Sequence, residues 1–172
     1  MLETKSKIRT FGDPVLRKKA KPVEKITYQH REILDQMAKS MYEDSGIGLA
    51  APQIGISSQL IVVDIGQGLY KLINPKIVRK EGFQAINEGC LSVPGVCVKV
   101  KRQKTVWVEA RDENNNLVRI EAKDLFACVL QHEIDHLKGK LIIDYASFLE
   151  RIRIKKKLTA LKAKTKTCKL QL

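Results

Sequence analysis

No stretch of this chain is long and apolar enough to cross a bilayer. Met1 to Pro14 mixes charged and polar residues where an export signal would place an apolar run. The chain is therefore expected to be soluble and intracellular, in the cytoplasm. A Cys-x-x-Cys pair is also missing. The four cysteines, in a chain without an export signal, therefore read as reduced thiols available to a metal rather than as a disulfide framework. No internal repeat or low-complexity linker interrupts the 172 residues, and with 44% hydrophobic residues they fit one domain with a substantial core. Histidine is scarce, with three in all.

Two of those three sit together in His132-Glu133-Ile134-Asp135-His136. On a helix, residues four apart share a face, so both imidazoles can point at one ion while Glu133 lies beside it as a base. That geometry suits metal-assisted hydrolysis. His30, alone in a polar stretch, reads as a surface residue. Hydrolytic zinc sites use three protein ligands and keep a fourth position for water, so a third donor must come from elsewhere. The position six residues after His136 is Ile142, which closes the route through a third histidine. Asp144 and Glu150 are downstream carboxylate candidates. Among the thiols, Cys128 lies one turn before His132, but donors at i, i+4 and i+8 span about 12 Å of axis, too far for one ion. It reads as a buried helix residue. Cys168 lies in a lysine-rich tail, and Cys97, between Val96 and Val98, reads as a strand residue packing into a core. Cys90 differs: in Glu88-Gly89-Cys90-Leu91-Ser92-Val93-Pro94 the glycine and proline mark an irregular turn, where a side chain can be aimed at a ligand.

The remaining pattern is mixed. Ile33, Leu34, Met37 and Met41 recur at helical spacing over 27–43, and Gly46 and Gly48 then break the helix into a glycine-rich loop. Segments 60–64, 69–73 and 77–79 read as short strands, and 105–112 with 117–122 as a hairpin around Asn114-Asn115-Asn116. Asp124 is the expected N-cap of a helix through Lys138 that carries both histidines and stops at Gly139. The expected fold is α+β: antiparallel sheets packed around a central metal-binding helix, with an N-terminal helix and a C-terminal basic helix.

Three segments, Gly46-Ile47-Gly48-Leu49-Ala50-Ala51-Pro52-Gln53, Glu88-Gly89-Cys90-Leu91-Ser92-Val93-Pro94 and Gln131-His132-Glu133-Ile134-Asp135-His136-Leu137-Lys138-Gly139, resemble the three motifs of the peptide deformylase family, in the family's order. The absence of a long insertion between the first two is similar to the compact bacterial form. The resemblance implies Cys90, His132 and His136 as metal ligands, and Gln53 and the Leu91 backbone as oxyanion donors. It also implies water activated at the metal, with Glu133 as general base and then acid. The reaction implied is removal of the formyl group from N-formylmethionyl nascent peptides, releasing formate. Iron(II) is the implied native ion, and zinc, nickel or cobalt also suit a thiolate with two imidazoles.

An unbranched thioether needs an apolar pocket. Leu125, Cys128 and Val129 lie seven, four and three residues before His132 and can line one, with Ile47 and Ile86 from neighbouring loops. Gly48 and Gly89 allow a peptide backbone to approach as an added strand. The net charge of +13 is concentrated at one end: residues 151–172 hold nine of the 32 lysines and arginines and no acid, with Ile154, Leu158 and Leu161 at helical spacing. The chain is thus expected to divide into a catalytic domain, 1–150, and a basic helix or tail, 151–172, suited to ribosomal RNA phosphates. Two other readings compete: a metallopeptidase with a carboxylate third ligand, and a nucleic-acid-binding module carrying a relic metal site.

Overall fold

The computed structural model describes residues 6–169; Met1–Lys5 and the last three residues of the basic tail, Leu170–Leu172, lie outside them. Three helices, α1 (Tyr28–Glu43), α2 (Asp124–Leu137) and α3 (Phe148–Lys169), combine with seven strands. The strands are β1 (Gly48–Ala50), β2 (Leu60–Val63), β3 (Tyr70–Glu81), β4 (Gln84–Glu88), β5 (Val98–Arg102), β6 (Thr105–Arg111) and β7 (Leu117–Lys123). Five strands form one sheet in the order β1-β2-β3-β6-β7, and β4 pairs with β5 apart from it; every pairing is antiparallel.

The large sheet is covered on both faces at its β1-β2 end. All four residues of β2 are buried, because Leu60 and Val62 pack with Leu34, Met37 and Met41 of α1 while Ile61 and Val63 pack with Ala127, Leu130 and Ile134 of α2. A strand buried on both sides reads as a continuous apolar run rather than an alternating one. In β5 the pattern alternates instead: Val98 and Val100 turn inward and Lys99 and Lys101 outward. Those valines join Leu141, Ile142 and Ile154 in a third cluster, against which Leu158 and Leu161 of α3 also pack. Helix α2 touches β1, β2, β5, β6 and β7, which makes it the central element that both sheets enclose. The expected α+β arrangement is the one observed.

Several local expectations are corrected. The strands expected at 69–73 and 77–79 are one long strand, β3, whose register with β6 shifts around Asn74-Pro75. Pro75 has no N–H for the ladder, and Asn74, at φ 52°, turns its side-chain amide onto the Val23 carbonyl and accepts from the Val23 N–H. A bulge, not a break, results. The expected glycine-rich loop contributes Gly48 to β1 at the sheet edge. Lys123, not Asp124, occupies the N-cap position of α2; no side-chain cap bond is made there, and Asp124 is the first helical residue, its N–H donating to the Lys104 carbonyl. His30 acts locally, since its Nδ1 accepts from the Thr27 N–H and closes the start of α1. Cys97 is exposed, since Val96 and Val98 take the inward phase and leave the intervening thiol outside.

Candidate metal centre

Two elements deliver three donors. His132 and His136 project from the same face of α2, and the turn that follows β4 carries Cys90 over them. Cys90 Sγ lies 3.3 Å from His136 Nε2, which is 3.2 Å from His132 Nε2, and all three donor atoms lie within 4.8 Å of one another. Bond lengths of about 2.0–2.3 Å around a tetrahedral ion imply donor separations of about 3.3–3.6 Å, so the set fits one small divalent cation. The carboxylate alternatives are spent elsewhere: Asp144 forms a paired contact with Arg17 at 2.6 and 3.0 Å, and Glu150 accepts from Ser147 and the Lys99 N–H at the start of α3. Asp144 and Glu150 are not part of the centre.

The surroundings prepare the donors. Glu88 Oε2 lies 2.9 Å from His132 Nδ1, which leaves Nε2 to face the cluster. Both Glu88 oxygens are held by Arg102, at 2.7 and 2.9 Å. Burial pushes Glu88 toward the neutral form, but the bonds to Arg102 and His132 outweigh it and hold the carboxyl below its ordinary range. Burial drives His136 well below the usual imidazole range and keeps it neutral, as a ligand must be. At His132 burial pulls the same way but is outweighed by bonds to Cys90 and Glu88, which hold the imidazole above its ordinary range. His136 Nδ1 and Glu133 Oε2 are buried with no hydrogen-bond partner. Burial raises Glu133 to about 7, close to neutrality, where a carboxyl can both accept and return a proton.

A cavity of about 500 Å³ opens over these groups. Each residue the sequence offered for substrate binding reaches its wall. Ile47, Gly48 and Ile86 come from the first-motif segment and β4, Gly89 from the turn, and Leu125, Cys128 and Val129 from α2. Burial lifts the Cys128 thiol to about 11, so it behaves as a small apolar wall residue. Gln53 and Leu91 line the same space. The Gln53 side chain is fixed at both ends: its oxygen accepts from the Ala50 N–H at 2.7 Å, and its amide nitrogen donates to Ser92 Oγ at 3.3 Å and lies 3.7 Å from Cys90 Sγ. Gly48 must be glycine for space rather than conformation, because a Cβ there would overlap Glu133 Oε1 and stand 2.9 Å from Val129 Cγ1. Sequence reasoning missed the part played by Glu88 and Arg102. An acid two residues before a ligand is the visible signal for the first, and nothing local marks the second.

Three borderline donors that could hold one metal ion, a buried carboxyl group beside them and an apolar cleft above fit the class of metal-dependent hydrolases. Residues 5–152 match the polypeptide deformylase family, and the chain belongs to it. The chain is 53% identical over 137 residues to the peptide deformylase of Caldanaerobacter subterraneus subsp. tengcongensis, covering 80% of this chain and 86% of that protein. It is 52% identical over 139 residues to that of Halothermothrix orenii, covering 80% and 90%. Its structure is similar to a crystal structure of a peptide deformylase from Legionella pneumophila, with TM-score 0.88, 41% identity, and 93% of this chain and 96% of that one covered. It is also similar to the Synechococcus elongatus enzyme in complex with actinonin, with TM-score 0.84, 44% identity, and coverage of 87% and 84%. The chain is therefore a hydrolase acting on formyl-methionyl peptides in the processing of newly made proteins. No helix among the described residues is long and apolar enough to cross a membrane.

Proposed function

We propose that Cys90, His132 and His136 hold the catalytic ion and that Glu133, Gln53 and Leu91 carry out deformylation around it. One observation carries this reading: the three donors converge beside a buried, partnerless carboxylate oxygen in an apolar cleft. Cys90, His132 and His136 would hold a divalent ion as one thiolate and two neutral imidazoles, and the ion would supply Lewis-acid chemistry to the formyl carbonyl and to water. Glu133 takes a proton from the attacking water and hands it to the departing amine. The Gln53 amide and the Leu91 backbone N–H donate to the oxyanion that forms at the formyl carbon, and Gln53 enters that role already oriented by Ala50 and Ser92. The methionine side chain fills the space between Ile86, Leu125, Cys128 and Val129, while Ile47, Gly48 and Gly89 flank the peptide backbone.

The native ion in this reading is iron(II), with zinc, nickel and cobalt as substitutes that the same donors accept. Residues 1–150 form the catalytic part. The basic extension from 151 onward draws the protein, in the cytoplasm, toward ribosomal RNA phosphates and hence toward nascent chains. Anaerobic metal analysis combined with release of formate from a formyl-methionyl tripeptide tests the assignment. One ion per chain with formate release is expected; a protein loaded with one iron(II) per chain that releases none would refute it.

A further inference from the structure

The polar chain that begins at His132 does not stop at Arg102. The arginine is 5% exposed and spends three donor nitrogens on two carboxylates. Nε and Nη2 grip the two oxygens of Glu88, and Nη1 donates to Asp135 Oδ2. The hydroxyl of Tyr145 donates to the same Asp135 oxygen at 2.7 Å, and its ring lies against the guanidinium, 4.8 Å from carbon to centroid. Tyr145 belongs to a short 3-10 turn, Ile142–Tyr145, beyond all three motif segments. None of Arg102, Asp135 and Tyr145 lines the substrate cavity.

We infer that Tyr145 and Asp135 are positioning residues for the metal ligand His132, acting through Arg102 and Glu88. The inference rests on the reading that Cys90, His132 and His136 hold the ion. Its logic is geometric. A carboxylate gripped at both oxygens by a planar guanidinium cannot rotate, so Glu88 Oε2 stays where His132 Nδ1 meets it. The guanidinium in turn is fixed only if its remaining edge and its face are occupied. Asp135 takes the edge and the Tyr145 ring takes the face. Tyr145 also fixes Asp135, because burial and Asp135 itself push the phenol up to about 12 and keep it a proton donor. Asp135 lies on α2 between the two histidine ligands, so the chain leaves the helix at His132 and returns to it at Asp135. The ring of contacts therefore ties helix, ribbon and turn to the orientation of one imidazole.

The test uses full-length protein loaded anaerobically with cobalt(II), whose visible ligand-field bands report donor geometry, together with the rate of cobalt loss to excess chelator. Tyr145→Phe keeps the ring and removes only the hydroxyl. It should shift the bands and speed metal loss roughly three- to tenfold, below the 10–100-fold typical of a direct outer-shell partner. Arg102→Lys, which cannot reproduce the planar grip, should reach about 10–100-fold. Ile73→Val, a core change in the α1 cluster on the opposite face of the sheet, controls for general loss of stability and should leave bands and rate at the wild-type values. Unchanged bands and an unchanged rate in Tyr145→Phe overturn the inference. Equal acceleration in Ile73→Val also overturns it, because metal loss would then follow stability alone. A wild-type protein that takes up no cobalt(II) refutes the underlying metal-site reading instead.

Discussion

Adding a single methyl group at Gly48 should disable the enzyme without removing its metal. The backbone at Gly48 lies in an ordinary strand conformation, so alanine meets no conformational penalty there. Space is the obstacle. The new Cβ would overlap Glu133 Oε1 and stand 2.9 Å from Val129 Cγ1, closer than real Cβ atoms approach other heavy atoms. Either β1 moves outward or the Glu133 carboxylate moves away. The edge position of β1 permits a small retreat, but its pairing with β2 at Gly48↔Val63 resists a large one. A displacement of about 1 Å at a reacting group costs roughly a hundredfold in rate, and overpacking of this kind costs about 1–3 kcal/mol of stability. The expected result is kcat for formate release down about a hundredfold, one ion per chain retained, and a modest fall in Tm. Gly48→Ala with wild-type kcat would mean that the placement of Glu133 does not limit turnover, and the base assignment would lose its geometric support.

Glu133→Gln preserves size but cannot accept a proton, so a metal-loaded variant should fall about a hundredfold or more in formate release; undiminished release counts against Glu133 as the base. Cys90→Ser should strip most of the metal, whereas Cys97→Ser, at an exposed thiol, should leave both metal and Tm near wild type. Cys128→Ser should retain metal and lose stability by about 1–3 kcal/mol from burying a hydroxyl, as thermal melts of the loaded protein would show. Truncation from Lys162 onward should leave hydrolysis of a free formyl-methionyl peptide nearly unchanged and weaken ribosome binding at low salt, with the difference shrinking as salt rises. Equal ribosome binding by the truncated and full chains removes the role proposed for the tail.

How much of this can be read from the chain depends on the range of the interaction. His132, Glu133 and His136 are legible because one helical turn fixes their relation without help from the rest of the molecule. Cys90 is singled out by its turn, but only the family resemblance separates it from Asp144 and Glu150 at the level of sequence. What separates them physically is pairing: Arg17 occupies Asp144, and Ser147 and Lys99 occupy Glu150. Those partners are distant or, for Ser147, a matter of which way a cap turns. Arg102 is invisible for the same reason, since its value lies in meeting Glu88 across a strand pair and Asp135 across to α2. The misreading of Cys97 is one of phase: the alternation is real, but the valines, not the cysteine, own the inward face. Similarly 69–73 and 77–79 read as separate strands, whereas Asn74 converts the interruption into a bulge by bonding Val23.

The ligand set has a consequence for how the protein assembles. Cys90 and His136 are 46 residues apart in sequence, and they meet only when the β4-β5 ribbon has closed against α2. Contacts of such long range bear the full entropy of loop closure and form late relative to a local helix. Metal uptake during refolding should therefore lag behind the helical circular dichroism signal, and an ion present at a hundred times its dissociation constant would favour the closed state by about 2.7 kcal/mol. The same ion that serves the chemistry would then act as a latch on the final docking step, and a chain translated in metal-poor conditions would spend longer with its ribbon undocked.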